Sequence, residues 1–323
     1  MTRSRVYRAG RLEAEDFPPS ELTRYLADPD AVVWLDFTEP TEQDLAEVAQ
    51  ALGLHAIAVK DAVQKHQRPK LNHYNNHGLL IAYETSINAK TGALHAQELA
   101  VFLTKQALVT VGKSSNMSMD AVTERWDEEA DQTAAGVGYL LYTVLDAVVN
   151  SHIDSLGVLD DLVEQLEDAV FSESPTSMSL QKRSLRTHKS LNGLRRKVSP
   201  MHDILNSLLR RENPLYTADM MPYYQDVLDH VLYANEQVES LRDLITTIHD
   251  TQVNLQGNRM NLIMKKVTSW AAIIAVPTLI TGVYGQNVPV PGTDHVWGFW
   301  LSTVAIVLAS IGLYTSFKRK DWL

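Results

Sequence analysis

The sequence predicts an α/β domain, then long helices, then two C-terminal helices that cross a membrane. Three observations predict it. Two uncharged runs close the chain, 27 residues from Val267 to Thr293 and 22 from Val296 to Phe317; a span takes roughly 20 apolar residues. Short runs rich in β-branched and aromatic residues punctuate the first ~130 positions. Between these regions, from about Gly138 onwards, the pattern is helical and proline is sparse.

In the first region "AVVWLDF" (Ala31–Phe37), "GLLIAYETS" (Gly78–Ser86), "ELAVFLT" (Glu98–Thr104) and "ALVTVG" (Ala107–Gly112) read as strands. "INAKTGAL" between the second and third reads as a hairpin connection. "TEQDLAEVAQAL" opens a helix with Thr41 as N-cap and Asp44 three residues on, the pattern of a capping box. Helical pattern then covers Tyr139 to Val170, followed by a turn at "SESPTSMS" (Ser172–Ser179). It resumes from Leu180 to Glu212, with an interruption expected at Pro200, and a second turn is read at "ENPLYTADMMP" (Glu212–Pro222). From Tyr223 to Val276 there are 54 residues without proline. At ~1.5 Å per residue such a helix is about 80 Å long and runs directly into the first span. The expected segments are 1–136 for the α/β domain, 137–222 for helical hairpins and 223–285 for the long helix with its span. A loop at 286–296, a second span at 297–317 and a basic tail at 318–323 follow.

The flanks of the two spans are polarised. Lys265 and Lys266 precede the first, Lys318, Arg319 and Lys320 follow the second, and Gln286 to Val296 holds no Lys or Arg. A buried hairpin in a soluble core would have no need of that asymmetry. By the positive-inside rule both termini are expected in the cytoplasm and the short loop outside, with Trp297, Trp300 and Trp322 near the interfaces. The opening "MTRSRVYRAGRLEAEDF" has no apolar h-region, so no cleaved signal peptide is expected.

Composition narrows the function. The net charge of −10 argues against nucleic acid as the main partner. With no cysteine in the chain, disulfides and thiolate metal sites are excluded. No P-loop, dinucleotide fingerprint, HExxH or nucleophile elbow is present, and no residue stands out as catalytic, so an enzyme is not expected. Eleven histidines are present; His66, His73 and His77 lie close in sequence, and His295 lies in the short loop, where imidazole suits Zn²⁺, Co²⁺ or Ni²⁺.

Steps of four and three along the long helix visit Asp250, Asn254, Gly257, Asn261, Met264, Thr268, Ala271, Ala275, Thr278 and Gly282. These share one helix face. The face is polar or small almost throughout, whereas Ile263, Trp270, Ile273, Ile274 and Leu279 beside it are bulky. Within a membrane such a face turns to protein or water rather than lipid. One reading is close helix packing through small residues. The other is a pore lined by several copies, which requires an oligomer. The second suits a hydrated divalent cation: Mg²⁺ holds its waters tightly, and rings of Asn261, Thr268 and Asn287 could accept hydrogen bonds from those waters without trapping the ion. An Asp250 ring would attract cations at the inner end.

"YGQN" (Tyr284–Asn287) at the end of the first span resembles the Tyr-Gly-Met-Asn signature of the CorA magnesium channels. "FKRKDWL" (Phe317–Leu323) is similar to their basic tail, and "KDAVQKHQRPKLNHYNNHGLLI" (Lys60–Ile81) to their N-terminal domain around Gln-Arg-Pro-Lys. "PYYQDVLDHV" (Pro222–Val231) and "NRMNLIMKKVT" (Asn258–Thr268) resemble the stalk and the start of the pore helix. The resemblance covers nearly the whole chain. It implies a funnel-shaped homopentamer in a cell membrane, with the first span lining the pore and Gly285, Gln286 and Asn287 forming the outer selectivity ring. It further implies regulatory Mg²⁺ between cytoplasmic domains at positions matching Asp61 and Asp226, and a gate residue at Met264. The chain departs from the pattern at Gln286 in place of Met and at Lys60 and Asn150 where acids are usual. Asp294 and His295 are displaced towards the second span, and Ala275 replaces a bulky residue. The resemblance implies that the changes at Lys60 and Asn150 should weaken or remove a second sensor metal. The expected function is therefore passive, potential-driven uptake of Mg²⁺, closed by internal Mg²⁺. A ZntB-type Zn²⁺ transporter with proton coupling is the alternative within the superfamily. A non-conducting membrane scaffold is the alternative of another class.

Overall fold

The computed structural model describes residues 2–114, 118–172, 178–210, 218–286, 290–292 and 295–323. The chain divides into two compact units, one built from Met1–Ser172 and Ser177–Ile248 and the other containing His249–Leu323.

The first unit is organised on a mixed sheet of seven strands: β1 (Thr2–Arg8), β2 (Arg11–Glu15), β3 (Ala31–Thr38), β4 (Lys70–His73), β5 (Gly78–Ile87), β6 (Leu94–Leu103) and β7 (Ala107–Gly112). Their spatial order is β2-β1-β3-β7-β6-β5-β4. Only β3 and β7 run parallel, with Val33 opposite Ala107 and Thr38 opposite Gly112. Strands β5 and β6 form the hairpin that the sequence predicts, in register from Gly78–Leu103 to Ile87–Leu94. Its turn is held by the Asn88 side chain, which accepts hydrogen bonds from the amides of Lys90 (3.0 Å) and Thr91 (2.9 Å).

Alternation along the strands sorts the core into two layers, because successive side chains leave opposite faces. Trp34, Leu80, Leu99, Val101 and Leu108 point one way, into a cluster with Trp126, Tyr139, Leu140, Met201 and Tyr224. These come from α4 (Asp120–Glu128), α6 (Val137–Ser172), α7 (Met178–Arg210) and the first turns of α8 (Met221–Tyr284); the short α5 (Ala130–Thr133) leads into α6. Val33, Leu35, Leu79, Ile81, Phe102 and Val109 point the other way, against Leu22, Val48, Ala58 and Val59. Those belong to α1 (Leu22–Leu26), α2 (Ala46–Leu52) and α3 (Ala56–Val63).

Strands β1, β2 and β4 carry no clear signal in the sequence. β1 is spelled with three arginines; Arg3 pairs with Asp120 and Arg5 with Glu15 and Asp127, so its charges are matched by distant residues. The Thr41 and Asp44 motif forms: Asp44 accepts from the amide and the hydroxyl of Thr41, both at 2.7 Å. A turn still intervenes, and α2 begins only at Ala46. The interruption expected at Pro200 is absent, since α7 continues through it. Packing explains this: Val198, Met201, Ile204 and Leu205 around the proline are all buried, and their burial outweighs one lost helical hydrogen bond.

The second unit contains the remainder of α8 and α9 (Val296–Arg319). Both are long and apolar enough to cross a membrane, and only 6% of the residues in the most apolar stretch of each are buried. Helix α8 has 64 residues and passes through Pro277.

Candidate ion pathway and regulatory segment

In the second unit, Asp250, Asn254, Asn261, Met264, Thr268, Ala271, Ala275 and Thr278 all stand exposed along α8. Thr278 donates its hydroxyl to the carbonyl of Ile274 at 2.9 Å, which leaves the oxygen lone pairs free to face outward. Ala275, Thr278, Gly282 and Gln286 line a single shallow groove with Val276, Leu279 and Val283. The groove is mostly apolar, with Thr278 and Gln286 as its polar members. Pro277 has no amide hydrogen, so the carbonyl of Ile273 loses its usual helical donor and is available as an acceptor within the span. The helix ends in a turn in which Gly285 donates to the carbonyl of Thr281 (2.9 Å) and Gln286 to that of Val283 (3.3 Å). Asn287 and Asp294 lie outside the described residues.

Past that turn, the chain folds back on the start of α9. Gly292 has a φ of +90°, and a Cβ on Gly298 would stand 2.3 Å from the Gly292 carbonyl oxygen. Only a glycine pair permits this approach. It places the exposed His295 at the N-terminus of α9, with its ring 6.4 Å from that of Trp297.

In the first unit, Asp61 lies in the last turns of α3 and is mostly covered. Its carboxylate accepts from the Lys70 ammonium at 2.6 Å, and the two side chains are 19% and 30% exposed. Lys70 also donates to the side chain of Gln67 at 3.2 Å. Beneath this pair lies a buried ionic cluster. The Lys113 ammonium donates to the Asp61 carbonyl at 3.2 Å, to the Gln64 carbonyl and to Glu98. Glu98 accepts from the amides of His66 (2.7 Å) and Gln67 (3.3 Å) and from the Tyr83 hydroxyl (2.9 Å). Burial pushes the pKa of Lys113 down, against the raising effect of Glu98. Tyr83 is pushed up, first by burial and then by its contact with Glu98. His66 sits at a φ of +69°, a costly conformation for a residue with a side chain, and the Glu98 carboxylate holds its amide there. The Lys197 ammonium of α7 lies 3.2 Å from the centre of the Tyr83 ring, which ties α7 to the same cluster.

Asp226, on α8, is exposed. Asp61 and Asp226 form no metal site within one chain: among the described residues no three His, Asp or Glu side chains converge on a point that could hold an ion. A cation shared between copies is compatible with the exposed Asp226, whereas Asp61 is already engaged by Lys70. The three neighbouring histidines serve different purposes. His77 is buried and stacked on Tyr74 with ring centres 4.6 Å apart, His73 contacts Ser207 at 3.1 Å, and His66 belongs to the strained turn. Lys70, Glu98 and Lys113 escape sequence reading, although each leaves a trace. Lys70 ends the Gln-Arg-Pro-Lys segment, Glu98 is a charge directly before the apolar run Leu99–Leu103, and Lys113 directly follows the apolar run of β7.

An α/β unit joined to two uncovered apolar helices, one of them carrying a polar track, defines a membrane protein with two spans. The family described as "CorA-like Mg2+ transporter protein" matches residues 29–319, and the chain belongs to that family. It is similar to the cobalt/magnesium transport protein CorA of Thermotoga maritima, 28% identical over 296 residues that cover 90% of this chain and 83% of that protein. It is also similar to the zinc transport protein ZntB of Pectobacterium atrosepticum, 21% identical over 258 residues, or 79% of this chain and 77% of that one. In fold it matches the complete structure of the CorA magnesium transporter from Methanocaldococcus jannaschii, with a TM-score of 0.79 at 21% identity over 99% of this chain and 98% of the other.

Proposed function

We propose that the chain is one subunit of an oligomeric divalent-cation channel, most simply a homopentamer, with Mg²⁺ as its principal ion. The observation that carries this reading is the small and polar face of α8, which the chain's own atoms leave uncovered from Asp250 to Gln286. A polar face in a span needs a protein or water partner, and copies of the same face around an axis supply both. Hydroxyl, amide and carbonyl oxygens along it accept hydrogen bonds from the water shell of Mg²⁺, so the ion passes weak sites in series. Gly285, Gln286 and Asn287 form the outer ring, Met264 narrows the path, and Asp250 attracts cations at the inner end. Uptake is passive. An inside-negative potential contributes about 4.6 kcal/mol per 100 mV to a dication, twice the value for one charge.

The reading places both termini in the cytoplasm of a cell that carries the protein in its surface membrane. Asp61 and Asp226 from adjacent copies would hold a regulatory Mg²⁺ that keeps the channel shut. Two carboxylates with several retained waters suit that ion. The likeness to ZntB and the position of His295 favour a second reading, Zn²⁺ transport with proton coupling, with Co²⁺ and Ni²⁺ as further substrates. A non-conducting scaffold is the third, in which the small-residue face is only a packing seam.

Flux into liposomes separates the three. Mg²⁺ entry that is driven by potential and lost in Asn287→Ala, with the oligomer intact, supports the channel. Zn²⁺ entry driven by a proton gradient, with little Mg²⁺, supports the second reading, and no divalent flux supports the scaffold. Asp61→Ala should keep conducting at millimolar internal Mg²⁺; inhibition equal to the parent's would remove Asp61 from the regulatory site.

A further inference from the structure

Asp61 does not wait for a cation with an empty coordination sphere. The Lys70 ammonium is already 2.6 Å from its Oδ2, and neither side chain is freely solvated. The arrangement is also braced. Lys113 holds the carbonyls at the end of α3, including that of Asp61 itself at 3.2 Å. Glu98 fixes the amides of His66 and Gln67 in the turn that leads to β4, whose first residue is Lys70. Gln67 accepts a second hydrogen bond from the same ammonium at 3.2 Å. A solvated surface lysine would sample many positions at little cost; this one is held against the carboxylate across the six-residue loop 64–69, which buried charges brace.

We propose that Lys70 is a tethered cation that competes with Mg²⁺ for Asp61 and so sets the internal Mg²⁺ concentration at which the channel closes. The inference rests on the regulatory role given above to Asp61. For the metal to take up Asp61, the ammonium must withdraw from Oδ2, because a dication and an ammonium repel each other at that separation. The pair therefore raises the Mg²⁺ concentration needed for occupancy, and it keeps Asp61 neutralised whenever Mg²⁺ is scarce. The carboxylate then never faces the approaching Asp226 of another copy as a bare negative charge.

The test uses the full-length protein in detergent, with Mg²⁺ binding read by titration calorimetry and Mg²⁺ protection of the first unit read by chymotrypsin digestion. Lys70→Gln should lower the half-saturating Mg²⁺ concentration about tenfold, a shift of the size expected from removing one partly screened charge. Lys70→Arg, which preserves the ion pair, should bind no more tightly than the parent. Asp61→Asn should abolish the site in both the parent and the Lys70→Gln background. Circular dichroism of Lys70→Gln at zero Mg²⁺ checks that the fold survives, and Lys70→Met offers a second neutral variant. If neutral variants bind Mg²⁺ as the parent does while Asp61→Asn loses it, the competitor role is overturned and the Asp61 site stands. If Asp61→Asn changes nothing, both fall.

Discussion

His152 shows how a single residue in the first unit couples stability to pH. It lies fully buried on α6, and one ring nitrogen, Nε2, contacts the Tyr83 carbonyl at 2.8 Å. Its Nδ1 has no hydrogen-bond partner among the described residues. Burial pushes its pKa down to about 4 from an ordinary 6.5. The folded state therefore refuses a proton that the unfolded chain accepts below pH 6.5. Stability is fully present above that value and falls as the pH drops towards 4, by about 1.4 kcal/mol per unit. Denaturant midpoints measured at pH 7, 6 and 5 should decline on this account, and His152→Gln should show a shallower decline. Equal slopes for the two proteins would clear His152 of the effect. Nothing in the local sequence marks this residue, since a histidine in "VVNSHIDSL" fits a solvated face as well as a buried one. Its burial depends on β5, about 70 residues earlier in the chain.

Among the elements, α7 tolerates a mid-helix proline because the apolar residues on both sides of it are buried. Pro200 removes one amide and crowds the preceding turn, a defect that costs roughly 3 kcal/mol in a helix interior. The adjacent Met201, Ile204 and Leu205 are buried against the α/β core and hold the helix together across it. Pro200→Ala should consequently raise stability, by about 1–3 kcal/mol, read as a higher denaturant midpoint of the first unit. A drop would mean that the proline provides a bend that the packing requires. Sequence reading caught the strands with clean apolar runs and the helices with long periodic faces, because both signals are local. It missed β1, whose arginines look like surface until Asp120, Asp127 and Glu15 are brought beside them. It missed β4 because four residues are too few to show a period.

At the scale of the whole molecule, two helices with only 6% of the residues in their most apolar stretches buried leave a large apolar surface exposed. On the proposed reading, lipid on the bulky side of α8 and further copies on its polar side would meet both demands. The absence of cysteine allows a clean test of orientation, because any single thiol introduced is the only one present. A cysteine at Pro291 should react with a membrane-impermeant maleimide added to intact cells, and one at Lys320 only after the membrane is opened. The reverse pattern would invert the proposed topology and put Asp61 on the wrong side to sense internal Mg²⁺.

What the sequence by itself determined is the order of segments: an α/β region, long helices and two spans, with a polar track along the first span. These follow from hydropathy, periodicity and charge at the flanks, which any short window of the chain contains. The tertiary structure alone decided which charges meet. Lys70 on Asp61, Lys113 and Glu98 beneath them, and His152 under Tyr83 are pairings across a folded sheet and its helices. A residue's neighbours in space depend on strand order and register, and no local pattern encodes them.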